Sequence, residues 1–234
     1  MLTHTDWPFF DAAHRALAAR AHEWVRAQHV DHRDPDAAVR EWVRRLGAAG
    51  FLRYTVPASE GGALPQIDSR SLCILRETFA AHDALADFAF AMQGLGSGAL
   101  TLAGGETLRR AWLPRVSRGE AIAAFALSEP DAGSDAAAIT TRATRHGDSW
   151  RLNGTKTWIS NGGIADFYCV FARSDAESNG SKGISAFLVP ASLPGLTVSE
   201  RIETISPHPL ATIRLDGYVI PDSHRLGELG EGFK

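Results

Sequence analysis

Residues 140–159 read TTRATRHGDSWRLNGTKTWI, and two turn signals inside this stretch decide the fold class. His146-Gly147-Asp148 is typical of a tight turn, and Asn153-Gly154 between strand-like runs is the strongest short-range signal for a β-hairpin. Polar and apolar residues alternate on both sides of each turn, which indicates strands with a period of two. The predicted strands cover residues 140–145, 149–152 and 155–159.

The same pattern continues toward the end of the chain. It predicts further strands over residues 167–173, 184–189, 197–201 and 212–218. No helical run separates these strands, so we expect a small antiparallel β-barrel or sandwich. This middle β-barrel domain is predicted to occupy residues 121–226.

Upstream of position 94 the sequence is typical of helices. Only four of the 22 glycines precede that position, and helix interiors disfavour glycine. Apolar residues recur at spacings of three and four, which predicts an N-terminal helical domain over residues 1–120. The fold class is therefore α+β, with an all-α helical domain followed by the β-barrel or sandwich domain.

Several boundaries of these helices are predicted from caps and breakers. The second helix is predicted to begin at Asp34-Pro35 and to stop at Gly50, and the third to run over residues 68–81. The next is expected over residues 85–92, followed by a flexible glycine-rich turn. A short final helix is expected to end at Pro114.

Composition excludes several classes of function. Lys and Arg total 24 against 27 Asp and Glu, a net charge of −3, so no basic excess supports nucleic-acid binding. Cys73 and Cys169 lie far apart, which disfavours a disulfide framework or zinc site and fits the reducing cytoplasm.

Residues 88–105 are too rich in glycine and polar groups to predict a membrane span. His22, His29 and His32 are interpreted as a solvated helix end, and no metal site is predicted.

Two segments could carry chemistry. Residues 125–135, FALSEPDAGSD, form a turn-rich loop whose amides and Ser128 and Ser134 hydroxyls suit a polar heteroaromatic ring or a phosphate. In residues 153–163, NGTKTWISNGG, Trp158 would offer a face for stacking, with Ser160 pointing the same way. The alternatives are an ordinary surface turn and a core tryptophan.

Together these two segments resemble the flavin-binding signature of the acyl-CoA dehydrogenase family. The resemblance extends over nearly the whole chain, including WLPRVSRGE, KGISAFLVP and VIPDSHRLGELGEGFK. It implies FAD as cofactor, with Ser128 at the pyrimidine side of the flavin, Trp158 beside the ring, Ser160 near N5, and Ser134 also touching the CoA part of the substrate. The implied cofactor-binding residues are Phe125, Ala126, Leu127, Ser128, Gly133, Ser134, Trp158, Ile159 and Ser160.

The implied reaction is the α,β-dehydrogenation of an acyl thioester, carried by CoA or an acyl-carrier protein, in fatty acid metabolism. Electrons would pass to an electron-transfer flavoprotein, and the intact protein would be a homo-oligomer, a dimer or tetramer. The family's base is a glutamate of a C-terminal helical domain. No glutamate here matches it, and Glu129 belongs to the flavin loop, so no catalytic residue is assigned. We expect residues 227–234 to be a linker toward that domain, and this chain alone to bind FAD weakly and to be inactive.

Three alternatives stay open at this stage. The chain could be a non-catalytic partner or binding subunit of the same fold, a flavin-dependent monooxygenase, or an acyl-carrier-protein dehydrogenase of the same superfamily. Residues 204–212, TISPHPLAT, replace the Gly-x-Arg-Ser/Thr-like segment that relatives usually show, which favours a divergent subfamily. His208 in this segment is interpreted as a structural loop residue.

Overall fold

The computed structural model describes residues 3–178 and 180–234. It divides into two units, of which the first holds the described residues up to Gly94 together with Leu113–Glu120. The second unit holds Leu95–Trp112 and Ala121–Lys234. Among the described residues, no helix is both long enough and apolar enough to cross a bilayer.

Helices make up the first part of the chain, as predicted. The α-helices are α1 Ala12–Arg26, α2 Pro35–Ala48, α3 Ser69–Ala80, α4 Ala84–Ala103 and α5 Glu106–Ser117, and short 3-10 helices cover Thr3–Asp6, Leu52–Tyr54, Ala58–Glu60, Ala136–Ala138, Gly180–Gly183 and Asp222–His224. Aspartates cap the first three α-helices; the predicted cap Asp34 is confirmed, and Asp68, the predicted start of the third helix, is its N-cap. Gly50 follows α2 with φ +77°, the left-handed conformation that a glycine stop requires.

Aromatic rings fill the core of the first unit. Trp42, Phe51 and Phe79 are at most 1% exposed. The centroids of the Phe51 and Phe79 rings lie 5.4 Å apart in an edge-to-face arrangement. Trp24 packs against Phe51 at 5.0 Å. Trp42 and Phe79 lie on the buried faces of α2 and α3, which explains why the period of three and four predicted these helices correctly.

Two predicted helix ends are wrong. The expected flexible turn after residue 92 is helical, because α4 continues to Ala103. A Cβ at Gly96 would lie 2.6 Å from the Ala123 carbonyl carbon and 2.7 Å from the Ala124 nitrogen. Glycine is therefore present at this position for close packing rather than for a turn.

Pro114 likewise lies inside α5, which continues to Ser117. Proline removes its own amide donor from the helix and crowds the carbonyl four residues before it, but its own carbonyl can still accept. Here the Pro114 carbonyl accepts hydrogen bonds from the Arg118 amide at 3.2 Å and the Ser117 hydroxyl at 2.9 Å. These bonds satisfy the carbonyl at the C-terminal end of the helix.

The second unit contains one sheet of eight strands. The strands are β1 Ala123–Ala126, β2 Arg142–His146, β3 Ser149–Ser160, β4 Phe167–Arg173, β5 Ile184–Pro190, β6 Leu196–Arg201, β7 Leu210–Pro221 and β8 Arg225–Leu226. Their order is β6-β7-β3-β2-β4-β5-β8, and β1 pairs with β4. The predicted helical part followed by a β-sheet part is thus confirmed.

The sheet is open and mixed, so within the predicted antiparallel barrel or sandwich the barrel form is wrong. Within the described residues, the outer strands β6 and β8 do not pair with each other. β1 runs parallel to β4, with Ala123 opposite Phe167. The chain between β1 and β4 is long enough to return and enter the sheet in the same direction. Alternation within a strand carries no information about that direction.

Asn153-Gly154 does not form the predicted hairpin. β3 runs through both residues, and its pairing with β7 shifts register between Leu152 and Gly154. A Cβ at Gly154 would lie 2.3 Å from the Thr141 hydroxyl oxygen, and Asn153 Oδ1 accepts the Gly217 amide at 2.7 Å. Two residues of β7, Asp216 and Gly217, lie opposite Asn153, so this is a β-bulge whose extra residue belongs to β7. The turn predicted at 146–148 does join β2 to β3.

The expected linker at residues 227–234 is packed onto the sheet. The Gly232 amide donates to the Ile184 carbonyl, and the Gly230 amide donates to the Ser185 hydroxyl, both at 2.9 Å. The Phe233 ring lies 6.0 Å from that of Phe171 on β4. These contacts give the segment a defined position along β5.

The two cysteines are predicted to differ sharply in reactivity. Cys73 is exposed, whereas Cys169 on β4 is buried, and burial raises the pKa of the Cys169 thiol to about 12. Because the thiolate is the reactive form, we expect an aromatic disulfide reagent to titrate one thiol in the native chain and two in denaturant. Rapid titration of both native thiols would contradict the packing of β4.

Candidate functional site

The two segments singled out from the sequence lie side by side in the second unit. The Ser128 carbonyl accepts the Thr157 amide at 3.0 Å, and the Leu127 carbonyl accepts Lys156 Nζ at 2.8 Å. The loop that follows β1 is thereby held along the second half of β3. Ser128 and Trp158 consequently belong to one local surface.

Trp158 departs from the predicted regular strand. Its φ is +58°, and the β3–β7 register shifts between Lys156 and Ile159. Such a backbone costs a non-glycine residue roughly 1–2 kcal/mol. Because the side chain is 60% exposed, the core-tryptophan alternative is wrong. A strained backbone that presents a large aromatic ring to solvent is typical of a ligand-binding position.

Three serine hydroxyls were predicted to take part. Ser128 and Ser160 are half-buried, and Ser134 is exposed. Within residues 3–178 and 180–234, the structure records no hydrogen bond to the hydroxyl of Ser128 or Ser160. These two hydroxyls are available to a ligand beside the indole.

The other predicted residues differ in what they can offer. Phe125 is half-buried with its ring 4.9 Å from that of Phe171, and Leu127 is also half-buried. Ala126 and Ile159 are at most 1% exposed as whole residues, so they lie beneath the surface of the candidate site rather than on it. Gly133 is exposed in the loop, with open space where a Cβ would lie.

A buried ion pair beneath the loop was missed by the sequence analysis. Lys156 Nζ lies 2.8 Å from Glu129 Oε1, and the two side chains are 0% and 4% exposed. The alternation of buried and exposed residues along β3 could have predicted it. Lys156 lies on the same strand face as the buried Trp150 and Leu152. A charged residue at an inward strand position implies a buried partner.

Every oxygen of the Glu129 carboxylate is occupied. Oε1 also accepts the Thr141 amide at 3.0 Å, and Oε2 accepts the Thr140 amide at 2.6 Å and its hydroxyl at 2.9 Å. Burial alone would raise the pKa of Glu129, but the Lys156 charge and these hydrogen bonds outweigh it and lower the pKa below its ordinary value. Glu129 is therefore held as a carboxylate that cannot readily accept a proton, which supports the interpretation that it is not the base.

The histidines singled out earlier have ordinary partners. His32 Nε2 lies 2.7 Å from Asp83 Oδ2, and His208 Nδ1 lies 2.8 Å from the Ser206 carbonyl oxygen. Within the part of the chain that the structure describes, no group of three His, Cys, Asp or Glu side chains could hold a metal ion.

Comparison with known families identifies the chain. Residues 11–120 match the family model for the acyl-CoA dehydrogenase N-terminal domain, and residues 124–217 match that for the middle domain. The chain belongs to the acyl-CoA dehydrogenase family. The predicted family resemblance is therefore confirmed, and the acyl-CoA dehydrogenase match includes both segments of the candidate site.

Individual relatives support the same family assignment. The chain is 38% identical over 227 residues to the probable acyl-CoA dehydrogenase FadE25 of Mycobacterium tuberculosis, covering 96% of this chain and 57% of that protein. It is 38% identical over 195 residues to the human mitochondrial short-chain specific acyl-CoA dehydrogenase, covering 82% of this chain and 47% of that one. The chain thus spans about half the length of these relatives.

A solved structure of a relative shows the same fold with a reduced flavin. It is a glutaryl-CoA dehydrogenase from Mycobacterium smegmatis in complex with FADH2. The match has a TM-score of 0.81 at 31% identity and covers 93% of this chain and 56% of the other.

Proposed function

We propose that this acyl-CoA dehydrogenase family member binds FAD at the surface formed by Ser128 and Trp158. The observation that carries the proposal is the exposed indole, held in a strained bulge directly beside the serine-bearing loop. A relative of the same fold is described with FADH2, which supports the same cofactor here. The proposed activity is that of an oxidoreductase acting on CH–CH bonds.

The residues present fit a flavin. A flat aromatic ring offers a stacking surface, and the unoccupied Ser128 and Ser160 hydroxyls offer hydrogen bonds to the polar edge of a heteroaromatic ring. Bound FAD supplies the acceptor for a hydride. Because a reduced flavin gains negative charge, donors aimed at it stabilise the reduced form.

Each residue has a distinct proposed role. Ser128 binds the pyrimidine side, Trp158 packs beside the ring and excludes water, and Ser160 donates near N5. Phe125 and Leu127 line the ring, Gly133 contributes main-chain atoms, and Ala126 and Ile159 support the site from beneath. Ser134, exposed at the rim of the loop, contacts both the cofactor and the CoA part of the substrate.

The substrate and partners are proposed from the family. The substrate is an acyl thioester of CoA or of a carrier protein, undergoing α,β-dehydrogenation, and the electron acceptor is an electron-transfer flavoprotein. We propose the division into residues 1–120 and 121–226 as domains, and a homo-oligomer as the working form. The free thiols of Cys73 and Cys169 support a reducing compartment such as the cytoplasm.

Titration of FAD with the purified chain tests this function. We expect the chain to quench FAD fluorescence with one site, and Ser128→Ala to weaken binding by about fivefold, the value of one hydrogen bond. Ser192→Ala, which removes an exposed turn hydroxyl far along the sequence, is the matched control. Absence of any FAD binding by the wild-type chain would overturn the proposal.

Anaerobic addition of an acyl-CoA to the same FAD-loaded chain tests the assignment of the base. We assign no base to this chain, so we expect the visible flavin absorbance to persist. Rapid bleaching would show that a carboxylate within these 234 residues abstracts the α proton. In a separate experiment in air, with a nicotinamide added to reduce the flavin, transfer of one oxygen atom into the acyl substrate would instead indicate the monooxygenase alternative.

A further inference from the structure

Lys156 and its neighbour Thr157 join three consecutive residues of the loop to β3. Its Nζ donates to the Leu127 carbonyl and to Glu129 Oε1, each at 2.8 Å. Between these two contacts, the Ser128 carbonyl accepts the amide of Thr157 at 3.0 Å. The main chain on both sides of Ser128 is therefore fixed by a residue that lies two positions before Trp158.

The contacts of Glu129 extend this network to the far end of the loop. Its carboxylate accepts the main-chain amides of Thr140 and Thr141, which lie just before β2. The ion pair thus closes the loop from residue 129 to residue 140 and attaches it to β3. Thr157 is fixed from the opposite side, because its hydroxyl lies 2.8 Å from that of Thr212 on β7.

Stability alone does not explain an ion pair at this place. The Lys156 side chain is fully buried, and desolvation of two charges offsets most of their attraction, so well-packed apolar residues are often as stable. What the ion pair adds is a fixed path for the main chain of the loop. An ammonium group aimed at two oxygens, and a carboxylate aimed at two amides, allow the loop only one path.

We propose that Lys156 and Glu129 are positioning residues, which fix the Ser128 hydroxyl and the Trp158 ring in the relative placement that one flavin requires. This inference rests on the proposed FAD site. The pair itself does not touch the ligand. Without it, the loop would still fold over β3 but would sample several positions of Ser128, so the hydrogen bond and the stacking contact would not form together.

A charge-neutral double variant, Lys156→Met with Glu129→Gln, tests the proposal. It leaves no unpaired buried charge, so we expect its unfolding temperature to stay within a few degrees of wild type. We expect its FAD dissociation constant to rise at least tenfold. Replacement of the exposed pair Arg214 and Asp216 by Met and Asn is the control, with unchanged affinity expected.

A further readout separates positioning from general loosening. In the wild-type background, Ser128→Ala weakens FAD binding about fivefold. In the double variant, we expect Ser128→Ala to have no additional effect, because the hydroxyl is no longer held toward the ligand. An undiminished effect of Ser128→Ala, or wild-type FAD affinity of the double variant, would overturn the inference while leaving the FAD site intact.

Two other outcomes are also decisive. If the wild-type chain binds no FAD, the proposed function fails, and the inference fails with it. If circular dichroism shows that the double variant is unfolded, Glu129→Asp alone is used, since it keeps the buried charges paired but shortens the reach of the carboxylate by one methylene group. We then expect about threefold weaker FAD binding at unchanged secondary structure, and unchanged binding would contradict the positioning role.

Discussion

We expect Trp158→Ala to weaken FAD binding by about 30-fold, with little change in the stability of the FAD-free chain. Stacking of a heteroaromatic ring on an aromatic side chain contributes about 2 kcal/mol, which corresponds to this factor. The indole is 60% exposed, so its removal uncovers little of the core. Fluorescence titration with FAD and urea unfolding of the cofactor-free chain measure the two effects.

A matched control exists in the same chain. Trp7 is 59% exposed, nearly the same as Trp158, but belongs to the first unit. We expect Trp7→Ala to leave FAD binding unchanged. Equal losses for the two variants, or full FAD binding by Trp158→Ala, would contradict the stacking role.

Trp158→Gly adds a second test of the same position. Glycine adopts φ +58° without the steric cost that an L-side chain meets there. We therefore expect the cofactor-free glycine variant to be more stable than the alanine variant, while both bind FAD weakly. Such a result would show that the strained backbone is retained for the ligand rather than for the fold.

Gly96→Ala is expected to destabilise the chain by about 3 kcal/mol, the upper part of the range for overpacking. The added methyl group would lie 2.6 Å from the Ala123 carbonyl carbon and 2.7 Å from the Ala124 nitrogen. Both neighbours are main-chain atoms of β1, so neither can move without disturbing the pairing of β1 with β4. Urea unfolding, followed by circular dichroism, gives the change in unfolding free energy.

Gly98→Ala in the same helix is the control. Nothing lies within 4 Å of a Cβ at Gly98, and alanine is favoured over glycine in a helix by about 0.8–1 kcal/mol. We expect this variant to be as stable as wild type or more so. Two alanine variants of equal stability would contradict the close approach of α4 to β1.

Local sequence signals predicted much of the helical part correctly. Asp34-Pro35, Asp68 and Gly50 act through hydrogen bonds and dihedral angles within one turn of their own position, so their consequences can be read without knowing the fold. The strand at Phe167–Arg173 was predicted with its observed bounds. Its continuous run of apolar residues, with β-branched and aromatic side chains, was sufficient to predict a buried strand.

Glycine was misread where a distant neighbour determines its role. Gly96 and Asn153-Gly154 were predicted as a turn and a hairpin, but Ala123 and Thr141 are the residues that require glycine at positions 96 and 154. Neither contact can be predicted from the residues next to position 96 or 154 in the sequence. The open sheet has the same origin, since the parallel pairing of β1 with β4 joins segments more than 40 residues apart.

The sequence by itself determined the helix caps, most of the strands and the two segments that carry the candidate site, because short-range hydrogen bonding and side-chain period fix these features. Only the tertiary structure decided that Trp158 is exposed in a left-handed bulge and that Glu129 is bound to Lys156. These properties depend on which side chains meet across 27 residues of intervening chain, and burial and charge pairing arise only when the chain brings them together.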